Sequence, residues 1–181
     1  MNKELHPLSQ YSEIEKASYL SVVAAMMAAD GEVCGEELSN LITLCKEVNV
    51  TEKTLGKVIT IAEKSSPESL IDFLKFLSTS DLRFTLITDI IFMAYADNKI
   101  TSQERLEVNR IAEYLNVNNT ELSSIWDYIE AVINADMEGK SKDKIKFIGK
   151  NIATELVAAA IAVSLGLSSI FAVKLIYSKI D

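Results

Sequence analysis

The chain has 181 residues, 49% of them hydrophobic, and carries a formal charge of −8 from 18 basic and 26 acidic residues. This apolar fraction supports a folded core and argues against a disordered chain. Glycine (6) and proline (2) are scarce, which favours long helices over a sheet with many turns. Two cysteines, Cys34 and Cys45, are too few for a disulfide framework or for a cysteine-based metal site. The protein is therefore expected to be in a reducing cytoplasm.

Charge is spread unevenly along the chain. Residues 1–137, called the head below, hold 11 Lys/Arg and 22 Asp/Glu, a balance of −11. Residues 138–181, called the tail, hold 7 Lys/Arg and 4 Asp/Glu, a balance of +3. Binding to nucleic acid needs a basic face, so the acidic head excludes nucleic acid as the expected partner.

Apolar residues recur at helical spacing through the head, after a polar lead-in over residues 1–10. The first predicted helix is apolar on nearly every side from Tyr19 to Ala29 and is expected to be buried. The fourth is expected to turn five side chains inward: Leu70, Ile71, Phe73, Leu74 and Leu77. Seven helices are predicted, over residues 11–29, 36–48, 52–64, a segment starting at Ser66-Pro67-Glu68, 81–96, 102–115 and 120–134.

Two helix starts carry a capping sequence. Thr101 lies three residues before Glu104, which is the capping-box arrangement, in which each side chain bonds the backbone N–H of the other residue. Asn118 stands in the same relation to Glu121. We therefore expect the sixth and seventh helices to begin beside these residues.

The head contains an internal repeat. Shifted by 67 residues, the segment 19–58 aligns with 86–125 without a gap. Each copy reads as helix, acidic loop, helix, short Asn-Val turn and helix. Two such copies predict an all-α helical bundle with pseudo-twofold symmetry. Identical residues fall at Met26/Met93, Ala29/Ala96, Asp30/Asp97, Glu37/Glu104, Asn49/Asn116, Val50/Val117 and Leu55/Leu122.

The acidic loops of the two copies hold Asp30 and Glu37, and Asp97 and Glu104. Both match the second half of an EF-hand loop, but the first two oxygen ligands of such a loop are missing. A tight calcium site in either loop alone is therefore not expected. Two interpretations stay open. The loops form a weak calcium or magnesium site, alone or shared between the copies, or these acids serve local structure as helix caps and turn residues.

The same residues carry a family resemblance. The pattern Ala-Asp-Gly-x-Val…Glu-Glu, repeated as Tyr-Ala-Asp-Asn-Lys-Ile…Gln-Glu, resembles the tellurite-resistance TerB family, whose superfamily includes the N-terminal domain of the membrane-anchored co-chaperone DjlA. The resemblance covers about residues 11–135. It implies an all-α bundle, acidic patches, weak binding of divalent cations and a stress-response role at the inner membrane face.

By position, Asp30, Glu37, Asp97 and Glu104 take the acidic-patch role that the resemblance implies. Two features depart from the family pattern. Lys99 places a positive charge inside the second loop, which weakens a cation site there. The apolar end of the tail lies beyond the domain that members of the family share. The domain organisation is therefore a TerB-like domain over 11–137, a Lys-rich linker over 138–150 and an apolar C-terminal helix over 151–178.

Residues 156–173 form an uncharged apolar run, at the lower limit of the roughly 20 residues that a membrane-spanning helix needs. Five lysines precede the run, which would keep the head on the cytoplasmic side of the inner membrane, with residues 152–177 as a tail anchor. The alternative is a soluble cytoplasmic protein whose last helix is buried in the bundle or joins two copies through small residues. The membrane or interface residues are Leu156, Ala158, Ala162, Gly166, Phe171 and Tyr177.

No catalytic constellation is present in the sequence. His6 is the single histidine, no Ser/His/Asp set can be built around it, and there is no Gly-rich phosphate loop. We expect a non-catalytic accessory protein that binds a protein partner through its acidic surfaces. The alternatives are an immunity protein that neutralises a basic toxin or enzyme and, third, an enzyme with convergent acids in a deep pocket.

Overall fold

The computed structural model describes residues 7–29, 33–64, 70–94 and 100–137, and within these ranges the protein is all-α without a strand. A single 3-10 turn at Pro7–Gln10 precedes seven helices in the described part. They are α1 (Glu13–Ala29), α2 (Gly35–Glu47), α3 (Glu52–Lys64), α4 (Leu70–Leu77), α5 (Leu82–Ala94), α6 (Ser102–Tyr114) and α7 (Asn119–Met137).

The predicted all-α class and the seven helices of the head are confirmed. The bounds of α3 coincide with the prediction, and those of α1, α2 and α6 differ from it by at most two residues. Helix α7 extends to Met137, three residues further than expected. The expected start of the fourth helix at Ser66 and the whole apolar C-terminal helix lie outside the described residues.

The chain divides into two compact units, with the boundary between Ser80 and Asp81. In the first unit, α1 packs against α3 and α4, and α2 packs against α3. In the second, α5 packs against α6 and α7. Helices α1 and α5 are apolar on nearly every side, so each can be buried by two neighbours at once. Their fully buried side chains include Leu20 and Val22 in α1, and Leu86 and Ile87 in α5.

The helices of the two units follow the predicted repeat. Helices α2 and α6 both have 13 residues, and they start 67 residues apart. Each is followed by an asparagine with a positive φ, 57° at Asn49 and 54° at Asn116. Asparagine tolerates this left-handed conformation better than other residues with a Cβ. The turns also share their backbone bonds, because the valine after each asparagine donates to the residue five positions earlier, Val50 to Cys45 and Val117 to Ala112.

Helix α4 differs from its prediction. Leu74 and Leu77 are buried as expected, but Ile71, which was expected to point inward, is 40% exposed, so this expectation was wrong. Phe76 is 41% exposed. The helix has only eight residues, LIDFLKFL, and its six apolar residues cover more than half of its circumference. Among the described helices, α1 is its main neighbour and does not cover the whole of this apolar face, so an apolar edge remains at the surface.

Candidate functional site

The closing glutamates of the two acidic loops cap helices. Glu37 Oε2 accepts a hydrogen bond of 2.9 Å from the backbone N–H of Cys34. Glu104 Oε2 accepts from the backbone N–H of Thr101 at 2.7 Å and from its hydroxyl at 2.8 Å, while the N–H of Glu104 donates to the Thr101 hydroxyl at 3.1 Å. The capping box predicted at Thr101 and Glu104 is therefore confirmed. Glu37 and Glu104 both have a structural role, because each accepts a bond from the backbone at the start of a helix.

The weak cation site stays a prediction. Asp30 and Asp97, the other two acids assigned to it, lie outside the described residues. Within the ranges that the structure covers, no three His, Cys, Asp or Glu side chains are grouped as metal ligands. Glu37 and Glu104 each have one carboxylate oxygen that is not used by the bonds above.

The residues assigned to a membrane or to an interface all lie in the tail, outside the described residues: Leu156, Ala158, Ala162, Gly166, Phe171 and Tyr177. Among the helices that are described, none is both long and apolar enough to cross a membrane. The tail anchor therefore stays a prediction.

The first unit carries an open groove of about 690 Å³ between α1, α3 and α4. Its apolar walls include Ile14 of α1, Ile61 of α3, and Phe73 and Phe76 of α4. Ser18 and Ser21 are buried residues that also line it. The groove is largely apolar, yet Ile14 is 56% exposed, so the walls stand open to solvent.

Charged residues lie along the α3 and α4 sides of the groove. Lys53 and Lys57 are four residues apart and therefore lie on one face of α3, whereas Asp72 lies on α4. Asp72 is the single carboxylate among the described lining residues, so no convergent pair of acids is available for general acid–base chemistry in this groove.

A polar clamp joins α1 to the start of α3 beside the groove. Glu13 Oε1 accepts hydrogen bonds from the Thr51 backbone N–H at 2.9 Å, the Thr51 hydroxyl at 2.9 Å and the Thr54 hydroxyl at 2.6 Å. The buried Lys16 Nζ donates to the carbonyls of Val48 and Asn49, both at 3.2 Å, and lies 3.6 Å from Glu13 Oε2. Because Thr54 also lines the groove, this clamp fixes the position of one of its walls.

The carboxylates of α1 are held in their charged form. For Glu13, burial acts to raise the pKa, but the bonds from Thr54 and Thr51 and the charge of Lys16 together lower it below its ordinary value. For Glu15, the bonds from the hydroxyls of Ser12 and Ser80 lower the pKa more than burial raises it. The Ser80 hydroxyl donates to Glu15 Oε1 at 2.6 Å, which joins α1 to the segment after α4.

Cys45 is buried, and burial raises the pKa of its thiol to about 11, so it is protonated at neutral pH. Cys34 is exposed, and both thiols are free, as the small number of cysteines predicts.

The groove and the clamp were not predicted from the sequence. Two signals pointed to the groove: a glycine, Gly56, in the interior of α3, and an α4 segment whose apolar residues cover more than one face. The clamp had a weaker signal. Where the second copy has Glu121, the first has Thr54, so the start of α3 needed an acceptor from elsewhere in the chain.

Comparison with known proteins agrees with the repeat and the loop motifs. The family model described as tellurite resistance protein TerB matches residues 16–126, which is more than half of the chain. Neither the curated proteins nor the solved structures include a match to it. The matched region starts at the buried Lys16 of α1 and ends at Trp126 of α7. The chain therefore belongs to the TerB tellurite-resistance family.

Proposed function

We propose that this TerB-family protein is a non-catalytic accessory protein, which binds a protein partner through the acidic surface of its head and is tethered to the cytoplasmic face of the inner membrane by residues 152–177. The observation that carries the proposal is the division of the chain into a head with a balance of −11 and a tail with a balance of +3 around an uncharged apolar run. The exposed acids of the described helices, such as Glu47, Glu63 and Glu113, support a charged surface for a partner.

The tether is tested by expressing the full chain, separating membranes from soluble material and washing the membranes at alkaline pH. The full chain is expected to resist the wash, and a version that ends at Lys150 is expected to be soluble. A full chain that is soluble and monodisperse would contradict the tether and place the apolar helix inside the protein or between two copies.

Cation binding at the acidic loops modulates this function in our proposal. Titration calorimetry with calcium and with magnesium is expected to show weak binding by the full chain and none by the double variant Asp30→Ala/Asp97→Ala. The matched control Asp127→Ala/Glu130→Ala removes two exposed acids of α7 and leaves binding unchanged. Absence of heat with either cation would remove this part of the proposal.

A second candidate function, an immunity protein that neutralises a basic toxin or enzyme, is favoured by the same −11 balance of the head. An acidic surface accelerates encounter with a basic partner, and salt screens that acceleration. A neutralised partner would associate much more slowly at high salt and lose its activity when bound. An accessory role predicts that the bound partner keeps its activity, so the activity of the complex separates the two candidates.

A further inference from the structure

The groove of the first unit leaves large apolar side chains in water. Ile14 of α1 and Phe76 of α4 both line the groove and are 56% and 41% exposed. Exposed apolar side chains around one concave surface with a polar rim are typical of interaction sites. A ligand of drug size is normally buried by most of its surface, whereas this groove is open to solvent at Ile14 and Phe76, which fits a longer and only half-buried occupant.

We propose that the groove of the first unit binds an amphipathic helix of a partner protein, with the apolar face of that helix against α1, α3 and α4 and its acidic flank against Lys53 and Lys57. This surface is distinct from the acidic surface of the proposed function, and the inference does not depend on it.

The dimensions of the groove match a short helix. The lining residues extend from Ile14 to Ser21 on α1 and from Lys53 to Ile61 on α3. At 1.5 Å per residue, these walls are about 10–12 Å long, or two helical turns. Two turns present three apolar anchors at helical spacing, which is the usual way in which an amphipathic helix occupies a groove.

Gly56 supports a close approach of the occupant to α3. A glycine weakens the interior of a helix relative to alanine. Among the described residues of the first unit none requires it, because a Cβ added at this position would meet no atom within 4 Å. The residue is exposed and lines the groove, so its missing side chain leaves room for the occupant, not for a neighbouring helix.

The charges select the kind of partner. No described carboxylate forms an ion pair with Lys53 or Lys57, although the chain as a whole has a charge of −8. An acidic flank on the occupant would pair with both, and a basic residue on its other side would face Asp72. The tail of this chain is a poor occupant, because the five lysines at 140, 142, 144, 146 and 150 immediately before its apolar run would meet Lys53 and Lys57.

The test uses two fluorescein-labelled helical peptides of about 16 residues with the same leucine stripe. One carries glutamates along the flank that faces α3, and the other carries lysines there. Binding to the full chain is followed by fluorescence anisotropy at fixed salt. If fractionation shows that the chain is in the membrane, it is held in lipid nanodiscs for this measurement. The acidic peptide is expected to bind at least about tenfold more tightly than the basic one.

Two variants test the location. Lys53→Glu/Lys57→Glu is expected to reverse the preference between the peptides, and Gly56→Leu, which fills the groove with a good helix former, is expected to weaken the acidic peptide at least about tenfold. The matched controls are Lys46→Glu/Arg110→Glu, with the same change in net charge at exposed residues that do not line the groove, and Ser123→Leu, at the position of α7 that corresponds to Gly56. Both controls are expected to stay within about twofold of the parent.

Each variant is first shown to be folded by thermal unfolding, measured by circular dichroism. Its affinity for the two peptides is compared with that of the parent only after this check. Equal affinity for the two peptides, a preference that survives Lys53→Glu/Lys57→Glu, or full binding by Gly56→Leu would each overturn the proposal. Binding that appears only in a chain cut after Lys150 would also overturn it, because the tail would then be the occupant of the groove.

Discussion

The two units hold the start of their third helix in different ways on the same backbone. In the second unit, Glu121 lies three residues after Asn118, and the two form a local capping box, with bonds of 2.9 Å in each direction. In the first unit, Thr51 occupies the position of Asn118. Its N–H donates to Glu13 Oε1, which belongs to α1 and lies 38 residues earlier in the chain. The local bond from the Thr54 N–H to the Thr51 hydroxyl remains at 3.3 Å. A repeat can therefore preserve its turn geometry while one of the two bonds of a local capping box is replaced by a contact between helices.

This difference affects the surface that each unit presents. The capping box of Asn118 and Glu121 lies within one turn of the chain. The clamp of Glu13 and Lys16 ties α1 to the α2–α3 turn and to α3, which borders the groove. The first unit therefore combines a polar clamp with an open apolar groove, and we expect changes in the clamp to affect α3 more strongly than equivalent changes affect α7.

The largest effect is expected for Lys16→Met. The substitution keeps the aliphatic stem but removes the buried ammonium group, so the carbonyls of Val48 and Asn49 lose a charged donor. Bonds of this type contribute about 1.5–3 kcal/mol, and the free energy of unfolding is expected to fall by about that amount. Arg110→Met, which removes an exposed ion pair with Glu107, is expected to cost no more than about 1 kcal/mol in chemical denaturation.

Glu13→Ala is expected to cost about 1–2 kcal/mol, because it removes the acceptor of three hydrogen bonds on a half-exposed side chain. The corresponding change in the second unit, Glu121→Ala, removes one reciprocal bond of a local cap and is expected to cost about 0.5–1 kcal/mol. Urea unfolding followed by circular dichroism measures both. Equal costs would contradict the distinction between the clamp and the local cap.

Acid is expected to weaken the first unit through Glu13 and Glu15. Their pKa values are lowered on folding, so their contribution to stability is present above the ordinary value of 4.5 and is lost as the pH falls through the lower folded value. Unfolding free energies at pH 7 and at pH 3.5 are expected to differ less in Glu13→Gln/Glu15→Gln than in the parent. A pH dependence that the double variant leaves unchanged would assign it to other groups.

The two left-handed asparagines are expected to respond alike. Asn49→Ala and Asn116→Ala each keep a Cβ at a positive φ but remove the side-chain amide that makes this conformation tolerable. Each is expected to lower the free energy of unfolding by about 1 kcal/mol. Asn49→Gly and Asn116→Gly are expected to be neutral or slightly stabilising. Thermal unfolding compares the four variants. A large difference between the two positions would show that the turns are not equivalent in energy.

The smallest effect is expected for Gly56→Ala, which removes the entropic cost of a helical glycine and fills only open space. It is expected to stabilise the protein by about 0.5–1 kcal/mol. Ser123→Ala at the corresponding position of α7 is expected to gain no more than about 0.5 kcal/mol. Destabilisation by Gly56→Ala would mean that something already occupies the groove in the free protein.

Much of the fold was predictable because its signals are local. The apolar periodicity located the helices, the capping boxes located the starts of α6 and α7, and the shared Asn-Val pair located the turns. The groove and the clamp depend on contacts between residues far apart in the chain. Glu13 and Thr51 are 38 positions apart and no sequence pattern joins them, and the exposure of Ile71 depends on how the neighbouring helices pack against α4.

The clamp is tested by residue-resolved amide hydrogen exchange on the full chain and on Glu13→Ala, which removes the acceptor of the Thr51 N–H. Exchange at Thr51 and in the first turn of α3 is expected to become about tenfold faster in the variant, which corresponds to about 1.4 kcal/mol, while exchange at Asn118 is unchanged. Tryptophan fluorescence from Trp126, the single tryptophan of the chain, reports independently that the second unit is intact. Unchanged exchange at Thr51, or equal acceleration at Thr51 and Asn118, would contradict a clamp that acts within the first unit.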